Sequence, residues 1–118
     1  MKPPYEADQL VEVLVPRPFA HGFDYRVPEG MTLEAGSYVT VPFGRQQVIG
    51  VVWGAARGDV PGERCKKIAA QHDHVPPMNG AMRAFIEWTA HYTMAERGMV
   101  LKMVIPIVQA INAPPKQT

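Results

Sequence analysis

Hydrophobic and polar positions alternate through the first half of the chain and change period after residue 77. From Leu10 to Val15, Val11, Val13 and Val15 fall on one face, with Leu10, Glu12 and Leu14 on the other. Phe23, Tyr25 and Val27 alternate with Asp24 and Arg26, and Val39, Val41 and Phe43 alternate with Tyr38 and Thr40. Gln47 to Trp53 is a further apolar run with Gly50 inside it. A period of two, broken by the turn signals Pro28-Glu29-Gly30, Glu34-Ala35-Gly36 and Phe43-Gly44, predicts short β-strands. Strands at this spacing favour a small barrel over a flat sheet, with Gly50 as the bulge that lets it bend. Lys66 to Gln71 is expected to return as a last strand.

After Pro76-Pro77 the repeat is helical. Asn79 is the expected cap, and Met82, Phe85, Ile86, Thr89, Ala90 and Thr93 recur at helical spacing. Phe85, Trp88 and Tyr92 add an aromatic edge to that surface. Gly98 is expected to stop this helix, and Met99 to Ile105 to form a short second helical segment ended by Pro106. The predicted fold is therefore α+β and β-rich: a small open, OB-like barrel of short strands, one main helix and a short second helical segment. Proline pairs bracket it, so residues 1–8 are expected to be a disordered tail, 9–106 one domain, and 107–118 a linker cut from a longer protein.

Composition narrows the class. A chain of 118 residues makes one domain, and 47% hydrophobic against 19% charged residues excludes wholesale disorder. A single cysteine, Cys65, excludes an internal disulfide and a cysteine-rich zinc site, and fits a reducing, cytoplasmic compartment. No apolar run reaches the roughly 18 residues of a membrane span. Twelve Lys and Arg against eleven Asp and Glu leave a net charge of +1. That balance argues against a protein that coats long stretches of DNA through phosphates, and leaves open a small pocket reading one feature of a nucleic acid.

Catalytic motifs are missing: there is neither a Gly-x-x-x-x-Gly-Lys-Ser/Thr loop nor a Gly-x-Gly-x-x-Gly. His72-x-His74 beside Asp73 has chelating geometry on a strand, but with so few ligands next to a proline linker it reads as a solvated loop. Cys65 beside Lys66 and Lys67 invites a lowered thiol pKa, yet no histidine is near in sequence to serve as its base. The methionines around the helical part (Met78, Met82, Met94, Met99 and Met103) and both tryptophans, Trp53 and Trp88, read as core or rim packing. Between Thr40 and Ala70 five basic residues (Arg45, Arg57, Arg64, Lys66 and Lys67) face two acidic ones, Asp59 and Glu63. Arg45 with Lys66-Lys67 would make a phosphate-binding rim if they meet at one barrel mouth.

More specific blocks lie in the same region. Phe23-Asp24-Tyr25-Arg26-Val27-Pro28-Glu29-Gly30, Ala35-Gly36, Val39-Thr40-Val41-Pro42-Phe43-Gly44-Arg45 and Gly50-Val51-Val52 resemble the amino-terminal domain of the bacterial replication-restart helicase PriA, primosomal protein N′. Lys66-Lys67-Ile68, the helix with Trp88 and Tyr92, and Gly98 followed by Val104-Ile105-Pro106 fall in the family's order, so the resemblance covers about residues 10–106. It implies a domain that binds the 3′ end of a nascent DNA strand at stalled forks, largely without regard to base, and so directs the helicase to sites of primosome assembly.

The terminal-nucleotide pocket carries over onto Phe23, Asp24, Gly44 and Lys66, with Lys67 adjacent to the last. The parent's helicase lobes and the ATP, Mg and Zn they use lie outside this chain, which is expected to need no cofactor and to be no enzyme. Implied partners are DNA 3′ ends at forks or D-loops, the rest of the parent helicase, single-strand DNA-binding protein and primosome proteins, at the nucleoid and not at a membrane.

The implied roles make chemical sense. A carboxylate facing a polyanion is useful if Asp24 accepts a hydrogen bond from a free 3′ hydroxyl, because the same charge repels a 3′ phosphate or an unbroken strand. Lys66 would hold a phosphate, Gly44 would admit close backbone approach, and Phe23 would pack on any base or sugar. Strand alternation stands against this, since Phe23 and Asp24 should point to opposite faces; by periodicity alone Phe23 is core and Asp24 pairs with Arg26 or Arg45. A competing class is an SH3- or OB-like barrel serving as a protein-interaction adaptor.

Overall fold

The computed structural model describes residues 4–58, 61–72 and 75–112. Its strands are β1 (Leu10–Leu14), β2 (Phe23–Arg26), β3 (Tyr38–Phe43), β4 (Gln46–Ala55) and β5 (Ala70–Gln71), followed by helices α1 (Gly80–Thr93) and α2 (Arg97–Asn112). The strands form one antiparallel sheet in the order β2-β1-β4-β3-β5. The sheet curls without closing. Its two edges are tied by a single parallel bridge, in which the Arg26 amide donates to the Lys66 carbonyl at 2.9 Å and the Ile68 amide to the Arg26 carbonyl at 3.1 Å. The expected last strand is thus reduced to two residues, with Lys66 to Ile68 lying against β2.

Alternation is what the strand residues do with their two faces. Val11, Val13, Val27, Val39, Val41 and Val52 point into the barrel with Tyr25, Leu33 and Ile68. Leu14, Tyr38 and Val51 point outward and form a second core with Met78, Ile86, Ala90, Val100 and Leu101, under the helices. The bulge is not at Gly50. Glu12 pairs with Gly54 and Val13 with Val52, so Trp53 is the extra residue and β4 bends there. Gly50 is needed for a different reason: a Cβ there would lie 2.7 Å from Val13 Cγ1 and 2.8 Å from the Leu14 carbonyl, where β1 crosses close.

The bulge turns Trp53 toward the helices, where its indole N–H donates to Glu87 Oε1 at 2.9 Å. The same oxygen pairs with Arg97 Nε at 2.7 Å, so one carboxylate joins β4, α1 and α2. Asn79 caps α1 as expected, its side chain accepting from the Met82 amide at 2.8 Å.

Three expectations for the helical part need correction. Helix α1 ends on Met94 in the left-handed conformation (φ 58°), not on Gly98. Gly98 instead sits in the first turn of α2, where a Cβ would run into the Arg17 carbonyl oxygen, so only glycine fits. Helix α2 is not ended by Pro106: its backbone runs 16 residues to Asn112, through positions expected to be linker. A proline there forfeits one hydrogen bond without stopping the helix. Trp88, Met94 and Met103 are exposed, while Trp53, Met78 and Met82 do pack.

The segment before Leu10, expected as a tail, is hydrogen-bonded to the barrel from Tyr5 onward. Tyr5 and Leu33 exchange both backbone hydrogen bonds, at 2.6 and 2.8 Å, and Asp8 donates to the Val27 carbonyl at 2.8 Å. No described helix is long and apolar enough to cross a membrane.

Candidate nucleic-acid interface

The open edge of the barrel, between β2 and the segment that bridges it, holds an open pocket of about 180 Å³. Phe23, Asp24, Gly44 and Lys66 all line it, together with Phe43, Arg64 and Cys65. Strand alternation is obeyed, not broken. Phe23 packs toward the barrel core while Asp24 faces the turn after β4; an edge strand lets residues from either face border the same opening.

Asp24 pairs with neither Arg26 nor Arg45 among the described residues. Its Oδ1 accepts from the Arg57 amide and its Oδ2 from the Gly58 amide, both at 2.8 Å, and Gly58 supplies the positive φ (82°) of that turn. An ionised carboxylate has about four acceptor sites, so both oxygens keep capacity for a further donor. Arg26 is engaged elsewhere, donating to the Gly62 carbonyl at 2.7 Å and to that of Asp8 at 3.4 Å.

Gly44 opens the two-residue turn between β3 and β4 with φ 61°, the left-handed conformation that hairpin turns of this length give to glycine. Nothing lies within 4 Å of where its Cβ would be, so the need for glycine is conformational and the pocket stays open above it. Lys66 is exposed and lines the pocket; Lys67, next along the bridge, does not, and neither does Arg45 on the turn. The two expected rim cations therefore lie outside the pocket wall.

Aromatic rings floor the site. Phe23 meets Phe43 at 5.3 Å and Phe19 at 5.1 Å in edge-to-face contacts, and Phe19 meets Phe43 at 5.9 Å. Tyr25 donates from its hydroxyl to the Pro42 carbonyl at 2.7 Å, and burial raises its pKa, so it serves as a fixed donor.

The Cys65 thiol is not activated: its pKa is raised, first by burial and then by the Asp24 carboxylate, with Arg26 opposing. Its lysine neighbours do not prevail. His72 Nε2 lies 2.7 Å from Thr40 Oγ1, while Asp73 and His74 of the considered metal cluster fall outside the described residues.

Phe43 and Arg64 line the pocket without having been among the expected site residues, and Phe19 packs behind them on Phe23 and Phe43. Phe43 stood within a recognised block, but Phe19 follows an irregular Pro16-Arg17-Pro18 stretch and Arg64 ends a one-turn 3-10 helix (Gly62–Arg64), where no periodicity marks a face.

A curled sheet whose open edge gathers aromatic rings, a carboxylate and exposed cations around one cleft has the build of a small single-strand nucleic-acid-binding barrel. The chain belongs to the PriA 3′DNA-binding domain family, whose model matches residues 12–106. Relatives named replication restart protein PriA include that of Haemophilus influenzae, 32% identical over 100 residues, which cover 84% of this chain and 14% of the relative. That of Synechocystis is 34% identical over 100 residues (80% of this chain, 12% of the relative), and that of Rickettsia felis 29% over 102 residues (84% and 15%). The chain thus spans only 12–15% of the length of these relatives.

Proposed function

We propose that the pocket captures the last nucleotide of a DNA strand through its free 3′ hydroxyl. The observation that carries this reading is the convergence of Phe23, Asp24, Gly44 and Lys66 on one opening. Asp24, oriented by two backbone amides, accepts the hydrogen bond of the 3′ hydroxyl on a remaining lone pair. A 3′ phosphate would bring negative charge against that carboxylate and is rejected. Lys66 meets the phosphate on the 5′ side of the terminal sugar, and the strand leaves over Gly44, where no side chain intrudes. Phe23 and Phe43 offer ring surface to base or sugar without reading base identity.

At about 180 Å³ the opening is smaller than the roughly 300–1,000 Å³ of sites for whole small molecules, and suits one end of a polymer. Binding of this kind needs no cofactor and no bond-making chemistry. In the setting of a longer restart helicase, the domain would bring the enzyme to nascent-strand ends at stalled forks or D-loops in the cytoplasm. The helicase's other domains, single-strand DNA-binding protein and primosome proteins would be its partners there.

The direct test compares a linear oligonucleotide with the same sequence ligated into a circle. The linear form is expected to bind at least about tenfold more tightly, the worth of one hydrogen bond to a charged group. Equal affinity for the circle would leave only a generic strand binder.

A further inference from the structure

Arg64 shares the pocket wall with Lys66 and has no part in the binding scheme so far. The turn that carries it is fixed: the Arg64 amide donates to the Pro61 carbonyl at 2.9 Å, and Arg26 of β2 holds the Gly62 carbonyl at 2.7 Å. The side chain itself is exposed, and among the described residues its guanidinium makes no hydrogen bond or ion pair. Asp24, the carboxylate in the same pocket, is engaged by the Arg57 and Gly58 amides.

Between the two cations Cys65 is extended (φ −73°, ψ 130°), which puts Arg64 and Lys66 two extended residues apart, roughly 6–7 Å along the chain. A single strand carries one negative charge per nucleotide, so two cations at that separation suit successive phosphates better than one shared phosphate. Their chemistries differ usefully as well: lysine meets a phosphate as a point charge, whereas the planar guanidinium can clasp one with two parallel hydrogen bonds.

We infer that Arg64 binds the second phosphate from the 3′ end, next to the one held by Lys66, so that the site engages the last two nucleotides through their 5′ phosphates and not the last one alone. The inference rests on the 3′-end reading of the pocket. Arg64 contributes affinity and direction of exit to the strand, and leaves recognition of the terminal hydroxyl to Asp24.

The intact chain is titrated with a dinucleotide, which has one phosphate, and a trinucleotide, which has two, both with free 3′ hydroxyls, at several salt concentrations. The trinucleotide is expected to bind about three- to tenfold tighter at low salt, with a log-log salt dependence steeper by roughly 0.7. Arg64→Gln should abolish both differences and leave the dinucleotide unchanged, while Arg64→Lys should keep the steeper slope. Equal weakening of both ligands by Arg64→Gln, or no change in either, overturns the inference while the 3′-end reading stands. A wild-type chain that binds both lengths but ignores a 3′ block brings down the 3′-end reading and this inference with it.

Discussion

The two oxygens of Asp24 that the proposed site would use are also the ones that serve the fold. Each accepts a backbone amide from the Arg57–Gly58 turn, so the carboxylate that is to meet the terminal hydroxyl also fastens the loop after β4. Alanine at this position would remove charge and anchor together, and its effect on binding could not be separated from local unfolding. Asparagine is the milder change: it removes the charge but keeps the shape and one of the two amide contacts, the other being lost where its NH2 meets an N–H donor.

Cys65 offers a probe that needs no substitution in the binding set. Its raised pKa keeps it a protonated thiol to higher pH than an ordinary cysteine, and only the thiolate is alkylated. At pH 8 it should therefore react with iodoacetamide more slowly than the same residue in the denatured chain. A 3′-hydroxyl oligonucleotide should slow it further, because the thiol lines the pocket. Mass spectrometry of the alkylated fraction reads both; a rate equal to that of the denatured chain, or indifferent to the oligonucleotide, contradicts them. That Phe23, Asp24, Gly44 and Lys66 share one opening accords with the recognisable blocks that carry them in the sequence. The partner of Asp24 was not legible there: main-chain amides have no residue identity, and the turn that offers them lies more than thirty positions away.

At the scale of elements, the placement of α2 depends on one missing side chain. The first turn of the helix lies against the backbone of the irregular segment after β1, with the Gly98 amide donating to the Phe19 carbonyl at 3.1 Å. That contact also holds the stretch from which Phe19 reaches the Phe23–Phe43 pair. Gly98→Ala forces a carbon into the Arg17 carbonyl oxygen, so helix or segment must move. The expected cost is ~1–3 kcal/mol or more, seen as a lower midpoint in urea, with weakened oligonucleotide binding alongside. An unchanged midpoint would mean the approach is less tight than described.

The strands were readable by alternation where one face is polar, as at Asp24 and Arg26 beside Tyr25, and by continuous apolar runs where both faces meet a core, as at Val51 and Val52. The helix ends were not: Gly98 has the look of a stop signal whether it terminates one helix or admits the backbone of a neighbour to the next. For the same reason Gly50 looked like a bulge while the extra residue was Trp53, whose identity says nothing of register. On α1 the helical spacing found Ile86 and Ala90, which are buried. It also collected Phe85, Trp88 and Tyr92, which lie 52–72% exposed with Trp88 and Tyr92 stacked on each other.

The molecule as a whole is a nearly neutral barrel, with 12 basic and 11 acidic residues, so the proposed binding calls for a local arrangement instead of a general positive field. The edge-to-edge bridge between Arg26 and Lys67 is the global feature that makes the pocket, since it brings a segment some forty residues downstream beside β2. Sequence pattern shows each strand but not which edges meet, so the cleft was foreseeable from resemblance and not from periodicity. The claim on which the account turns is that the carboxylate of Asp24 distinguishes a terminal hydroxyl from a terminal phosphate. The measurement is the affinity of the wild-type chain and of Asp24→Asn for one oligonucleotide ending in a 3′ hydroxyl or in a 3′ phosphate. The wild type is expected to prefer the hydroxyl by roughly tenfold or more, a preference largely lost in the asparagine variant with its fold intact. Equal affinity of the wild type for the two ends would contradict it.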